Sequence, residues 1–409
     1  MTTARRGVEI AARTAYGRLL AYLVSRSRDV MAAEDALGDA FVAALRTWPE
    51  QGMPPNPEAW LLLAARRKLI DAARRAKTRD KVVHWLETDD CTTASAAPEE
   101  LTFPDERLKL LFVCAHPAID ASVHTPLMLQ TILGLNAHQI GSAFLVSPTT
   151  MGQRLVRAKA KIRDAGIAFE IPEAAELPAR LQAVLEAIYA VYTLGWDAVA
   201  GGDARHRGFT AEALWLARLC VDLMPEEPEA KGLLALMLFC EARAEARRTT
   251  AGAYVPLSEQ DTELWSQGMV HEAEQYLRQA AAAQHIGRFQ LEAAIQSAHM
   301  QRSRGQAPDW EAIVLLYEGL LQVAPTLGAR VSQAAAIAAA QGFAASLQAL
   351  ETIPPDAVKN YQPYWALKAH LLHSLNQGTA AKTAYQRAIG LSEDAAVREF
   401  LLGRSRQLP

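Results

Sequence analysis

The run Val146-Ser147-Pro148-Thr149-Thr150-Met151-Gly152-Gln153-Arg154-Leu155-Val156-Arg157-Ala158-Lys159-Ala160-Lys161-Ile162-Arg163 announces its own helix start. Ser147 is a favoured N-cap, Pro148 suits the first helical position, and Val146 can staple onto Met151 across the cap. Met151, Leu155, Ala158 and Ile162 then fall on one helical face, with Thr150, Gln153, Arg154, Arg157 and Lys161 on the opposite one. Upstream, Ala137 to Phe144 reads as a support helix, so Thr125 to Arg163 reads helix, helix, turn, helix. The polar stripe holds what a major-groove reader needs: arginine for guanine, glutamine for adenine, lysine for phosphate. An ordinary amphipathic helix with a solvated basic face explains the stripe equally well, and Leu145 stands where such turns usually carry glycine.

A second basic helix lies about 80 residues earlier, a separation long enough for a distinct module. Trp60 to Lys81 contains eight basic residues and two acidic ones, and Thr150 to Gly166 contains five and one. Trp60 followed by Arg66, Arg67, Lys68, Asp71, Arg74 and Arg75 combines an aromatic ring with cationic charge, the recipe for holding a single strand. Intrahelical pairs of Asp71 with Arg67 and Arg75, and a core role for Trp60, are the structural alternative. Between the two basic helices, Glu87 to Glu106 is acidic and aperiodic, which predicts a flexible linker.

The rest of the chain predicts an all-α protein. Helices are expected at about 8–26, 29–47 and 57–78, broken at Trp48-Pro49 and by the proline cluster of residues 53–57. Beyond Pro178 the pattern is of helix pairs. Trp365, Ala369, Ala381, Tyr385 and Ala388 match the spacing of a tetratricopeptide repeat (TPR), with Arg243 to Ser258 and Ile353 to Asn360 as insertions. Net charge is −3, yet residues 1–170 carry 22 basic against 19 acidic side chains, so the acidic surplus lies in the C-terminal part.

Four scattered cysteines, Cys91, Cys114, Cys220 and Cys240, have no metal or disulfide spacing, which points to a reducing cytoplasm. The longest apolar run, Leu233 to Cys240, is eight residues, against roughly 20 needed to span a bilayer, so no membrane partner is expected. No phosphate loop, zinc-helix motif or nucleophile elbow is legible, so neither an enzyme nor a cofactor or metal is expected. His370 and His373 have no evident third ligand, and Cys114 and His116 read as buried residues rather than a catalytic pair.

As a set, these segments resemble a bacterial sigma factor of the sigma-70 class, in the extracytoplasmic-function type that keeps only the second and fourth sigma domains. Ala33-Glu34-Asp35-Ala36 through Phe41 resembles the helix that docks on the clamp of core RNA polymerase. Trp60-Leu61 through Asp71 and Arg74-Arg75 resembles the segment that melts and reads the minus-ten element. Residues 137–163 resemble the helix-turn-helix that reads the minus-thirty-five element while docking on the polymerase flap. Cys114-Ala115-His116-Pro117-Ala118, Ala143-Phe144-Leu145-Val146 and Gln153 through Lys159 resemble a subgroup with a long TPR-like C-terminal extension, in which the turn lacks glycine.

The resemblance implies Glu34, Asp35, Asp39 and Phe41 as polymerase contacts, and Trp60, Arg66, Arg67, Lys68, Asp71, Arg74 and Arg75 as minus-ten contacts. It implies Thr149, Thr150, Gln153, Arg154, Arg157 and Lys161 as minus-thirty-five contacts. The implied partners are core RNA polymerase, promoter DNA as duplex and melted strand, and a protein or small-molecule regulator at the TPR-like domain. The domains are then 1–85, an acidic linker 86–104, 105–167 and 168–409. Departures are Arg67 for Asn, Gly38 for Gln, Tyr192 to Trp196 for an Asn-Glu-Gly-Tyr pattern, and Gln260 to Trp265 for Gln-Asp-Arg-Ser-x-Trp. A one-component helix-turn-helix regulator with a helical effector domain accounts for residues 105–409 but leaves 8–81 without a role. A TPR scaffold without DNA function leaves the stripe of residues 150–163 unexplained.

Overall fold

The computed structural model describes residues 3–75, 104–144, 146–173, 175–199 and 209–408, and among them the architecture is all-α. Two compact units divide the chain, Met1–Val191 and Tyr192–Pro409. The acidic linker expected at 86–104 lies, but for its last residue, outside the described residues, as do Cys91 and Leu145.

The first unit holds α1 (Thr3–Ser27), α2 (Val30–Gln51), α3 (Pro57–Arg75), α4 (Arg107–Cys114), α5 (Ala121–Leu133), α6 (Ala137–Ala143) and α7 (Pro148–Asp164). α8 (Leu177–Val199) carries the boundary between units. Residues 1–85 and 105–167 were read from the sequence as separate modules. Their described parts pack against one another, with α1 against α4 and α5, and α2 against α7. Gly17 permits the closest crossing: a Cβ there would overlap the backbone carbonyl of Ile132 on α5. Tyr16 lies over Gly134, which ends α5 with φ +66°, a backbone angle that glycine adopts without strain.

One expected break is corrected. α2 runs through Pro49 to Gln51, because a proline in the last turn forfeits a single intrahelical bond, and the helix closes when the Gly52 amide donates to the Trp48 carbonyl at 3.0 Å. Trp48, 1% exposed, anchors that end in the core.

The second unit continues through α9 (Phe209–Leu223), α10 (Pro228–Glu241), α11 (Gln267–Ala282), α12 (Arg288–Met300), α13 (Trp310–Val323) and α14 (Leu327–Gln341). It ends with α15 (Phe343–Glu351), α16 (Pro355–Val358), α17 (Gln362–Ser374), α18 (Gly378–Leu391) and α19 (Ala395–Arg406). Consecutive helices pair through short turns, such as the one at Asn376 between α17 and α18. Ala369, Ala381, Tyr385 and Ala388, the repeat residues picked out from the sequence, are all buried in that pair. The indole of Trp365 donates to the Val358 carbonyl at 3.0 Å, which ties α17 to α16. The expected insertion at 353–360 is thus partly helical and packed, with Val358 2% exposed.

The insertion after α10 is irregular, as expected, and it is held down at both ends. Arg302 donates to the backbone carbonyls of Leu257, Ser258 and Gln260 while its guanidinium lies 5.7 Å from the Trp265 ring centre. Gln260 and Trp265 are 5% and 2% exposed, so this motif folds the insertion onto its neighbours. At the other end Arg248 pairs with Asp394, Tyr254 packs edge-on to Phe400, and Arg404 reaches Glu259 at 2.8 Å. The insertion therefore straps the early helices of this unit to its last one.

Two predictions arise here. The Glu229 carboxylate of α10 accepts from the amides of Phe289 (3.0 Å) and Gln290 (3.2 Å), capping α12, and a Cβ on Gly287 would overlap it. Glu229→Ala leaves those buried donors unpaired and is expected to cost about 2–3 kcal/mol in a denaturant titration. His299, packed edge-on to Trp310, has its pKa pushed down to about 4 by burial, with Arg243 and Arg302 adding to the effect. The unfolded chain then binds a proton that the folded one refuses. Stability is full above the unfolded pKa and falls as pH drops from about 6.5 to about 4, by roughly 3 kcal/mol. His299→Gln should flatten that part of the pH profile of melting temperature.

Candidate nucleic-acid and polymerase interface

α7 is built as its sequence predicts. Ser147 caps it, its Oγ accepting from the Thr150 amide at 3.2 Å, and Pro148 occupies the first turn. α6 begins with a capping box, in which Asn136 Oδ1 accepts from the amides of His138 and Gln139 and Gln139 Oε1 accepts from the Asn136 amide, all at 3.0 Å. The connection turns tightly, with the Val146 amide donating to the Gly141 carbonyl at 2.9 Å. A Cβ on Gly141 would come within 2.6 Å of the Val146 carbonyl. The glycine that permits the turn is therefore inside the support helix, four residues before the position where its absence was noted.

Met151, Leu155, Ala158 and Ile162 are buried, while Thr149, Thr150, Gln153, Arg154, Arg157 and Lys161 are exposed on the other side. The structure thus brings all six expected minus-thirty-five residues onto one open face. Among the described residues, no ion pair engages Arg154, Arg157 or Lys161. These three line a cleft of about 320 Å³ with Asp120 and Ser122 of the α5 start. Hydrogen bonds from Ser122 hold the Asp120 carboxyl below its usual range, with the charge of Arg154 contributing. Phe144 and Val156, 39% and 49% exposed, add apolar surface that the sequence reading passed over.

On α3, Asn56 Oδ1 accepts from the Ala59 amide at 3.0 Å and Pro57 starts the helix. Trp60 is half-buried, edge-on to Trp48 with centroids 5.6 Å apart. Arg67, Lys68, Asp71 and Arg74 are exposed, and the side chain of Arg75 lies outside the described residues. Arg66 needs correction: it is 5% exposed, because it shares the inward stripe of Leu62 and Leu69.

On α2, Asp35 and Asp39 are exposed and Phe41 is half-buried. Lys68 approaches Asp39 to 3.5 Å, so an expected minus-ten residue and an expected polymerase contact meet. Val42 and Leu45, 47% and 44% exposed, share the outward face of Asp35 and Asp39 at helical spacing. The sequence reading missed them, although two large apolar residues on an acidic face are a visible signal. Glu34, expected on that face, points elsewhere: its carboxylate pairs with Lys159 of α7 at 2.5 Å, with side chains 15% and 8% exposed. Burial raises the Glu34 pKa, and Lys159 offsets part of that shift.

The remaining candidates are packing residues. Cys114 is fully buried beside Thr131, its thiol pushed up to about 12 by burial. His370 and His373 pack edge-on to Phe343 and Tyr385. Tyr192 is buried and donates to the Met237 carbonyl at 3.3 Å.

Residues 12–79, which take in the greater part of α1 and all of α2 and α3, match the family model described as sigma-70 region 2. A sigma-70 region 2 implies a part in transcription initiation, with core RNA polymerase and promoter DNA as partners. Residues 180–281 match a second model, described as a family of unknown function (DUF6596). The chain is also 36% identical over 392 residues to the uncharacterized protein R00370 of Rhizobium meliloti (strain 1021), covering 95% of this chain and 91% of that one. No solved structure matches it. Among the described residues, no helix is long and apolar enough to cross a membrane.

Proposed function

We propose that this chain is an alternative sigma factor of the extracytoplasmic-function type, in which residues 1–85 serve as sigma domain 2 and residues 105–167 as sigma domain 4. Asp35, Asp39 and Phe41, together with Val42 and Leu45, dock α2 on the polymerase clamp, where an apolar patch ringed by carboxylates suits a basic partner helix. Trp60 offers a ring to an unstacked base, and Arg67, Lys68, Arg74 and Arg75 take the backbone of the opened minus-ten strand, with Asp71 ordering the arginines between them. Thr149, Thr150 and Gln153 sit at the leading end of α7 and meet base edges, and Arg154, Arg157 and Lys161 follow into base and phosphate contacts. The linker 86–104 spans the two domains, and the TPR-like extension from 168 onward modulates the sigma core through a protein or small-molecule partner.

The observation that carries this reading is the exposed Thr149-to-Lys161 stripe on a capped helix in the same unit as a sigma-70 region 2. The test is run-off transcription with purified bacterial core polymerase over a library of promoter fragments. Promoter-specific transcripts support it. Tight duplex binding without association to core polymerase overturns it in favour of the one-component regulator.

A further inference from the structure

The proposed DNA face of α7 carries only positive charge, yet the cleft beside it holds one carboxylate. Arg154, Arg157 and Lys161 line that cleft from α7, and Asp120 and Ser122 line it from the start of α5. All five side chains are exposed. A carboxylate there repels the phosphates that the three cations attract, so for backbone binding alone it is unfavourable. Capping does not account for it either. Asp120 caps α5 by accepting from the Ser122 amide at 2.9 Å, and asparagine or serine makes an equally good cap without the charge.

The cap does fix where the charge sits. Ser122 donates twice to Oδ1 of Asp120, from its amide and from its hydroxyl at 2.6 Å, and neither bond uses Oδ2. Arg154 is the strongest of the charges acting on this carboxylate, ahead of His124, whose Nε2 lies 3.0 Å from the Ile119 carbonyl. An exposed arginine beside a duplex has many rotamers, and most hydrogen bonds open to it are to phosphate and sugar. A fixed carboxylate that takes one edge of the guanidinium leaves another edge for a bidentate contact to guanine.

Resting on the sigma reading above, we infer that Asp120 is a positioning residue for base recognition, closing on Arg154 when the duplex arrives and holding it to the base edges of the minus-thirty-five element rather than to the phosphates. The cost in backbone attraction is then offset by discrimination between sequences. Ser122 fixes the carboxylate, the carboxylate orients the arginine, and the arginine reads the base.

The test is run-off transcription by the full chain with core polymerase, on the selected promoter and on a panel in which each base pair of its minus-thirty-five element is replaced in turn. Asp120→Asn keeps the α5 cap, because the amide oxygen can accept the same two bonds, and removes the charge. The expected result is a loss of preference of at least about fivefold at the base pair whose preference Arg154→Ala also removes, with preference elsewhere in the element intact. In an Arg154→Ala background, Asp120→Asn should add nothing to the profile. Each profile is a ratio within one protein, so a general loss of folded chain cancels from it. An unchanged profile, a change spread evenly over the element, or a change that persists without Arg154 overturns the assignment and leaves the sigma reading intact. So does an Arg154→Ala variant that keeps every base preference. A wild-type chain that directs no transcription overturns the sigma reading and this assignment with it.

Discussion

Arg154→Ala combined with Arg157→Ala is expected to abolish promoter-specific initiation while leaving the fold and polymerase association intact. Both side chains are exposed, outside any ion pair among the described residues, and line the cleft beside α7. Their removal therefore leaves no buried charge behind. Each well-formed arginine contact to a base pair is worth about 1–3 kcal/mol of discrimination, so the pair together changes occupancy of a minus-thirty-five element by roughly two orders of magnitude or more. The measurement is run-off transcription on the selected promoter, with a parallel titration of the duplex against salt. If one of the two contacts only phosphate, its single variant should weaken all duplexes evenly and reduce the salt slope by about one. Wild-type transcription from the double variant would remove α7 from the promoter interface.

Gly17→Ala is expected to destabilise the first unit more than any exposed substitution. The added methyl would overlap the Ile132 carbonyl, a backbone atom that cannot rotate aside. Relief requires α1 and α5 to move apart, which also strips the cover from Tyr16 on Gly134. Overpacking of this kind costs about 1–3 kcal/mol where side chains yield, and a backbone clash belongs at or above the upper end. Thermal unfolding of the full chain should show the transition of the first unit shifted down by several degrees, with that of the second unshifted. An unaltered transition would show that the crossing is looser than described. Gly38→Ala, where a Cβ meets nothing within 4 Å, is the matched control and should be neutral or slightly stabilising through helix propensity.

Much of this was legible in particular residues. The Ser147-Pro148 start, the split of α7 into Met151, Leu155, Ala158 and Ile162 against Gln153, Arg154 and Arg157, and the repeat residues Ala381, Tyr385 and Ala388 all follow from helical periodicity and cap chemistry. Arg66 obeys the same periodicity: it falls on the buried stripe of Leu62 and Leu69, whereas its cationic neighbours Arg67 and Lys68 face outward. Gly141 was overlooked because the usual place for glycine in such a turn is the turn itself, whereas here the backbone of Val146 passes over the support helix. The seam of Glu34 and Lys159 had no local signal, since the partners lie 125 residues apart.

The sequence by itself determined what depends on neighbours a few residues away: an all-α chain, where its helices begin, which face of each is apolar, and which side chains suit nucleic acid. Only the tertiary structure decided which charges stay at the surface. Lys159 and Arg157 are two residues apart on one helix and alike in charge, yet one is buried against a carboxylate and the other is exposed. The difference arises because a lone buried cation is so costly that its fate depends on whether a counter-charge from elsewhere in the chain arrives beside it. That meeting is a property of packing, and no local pattern records it.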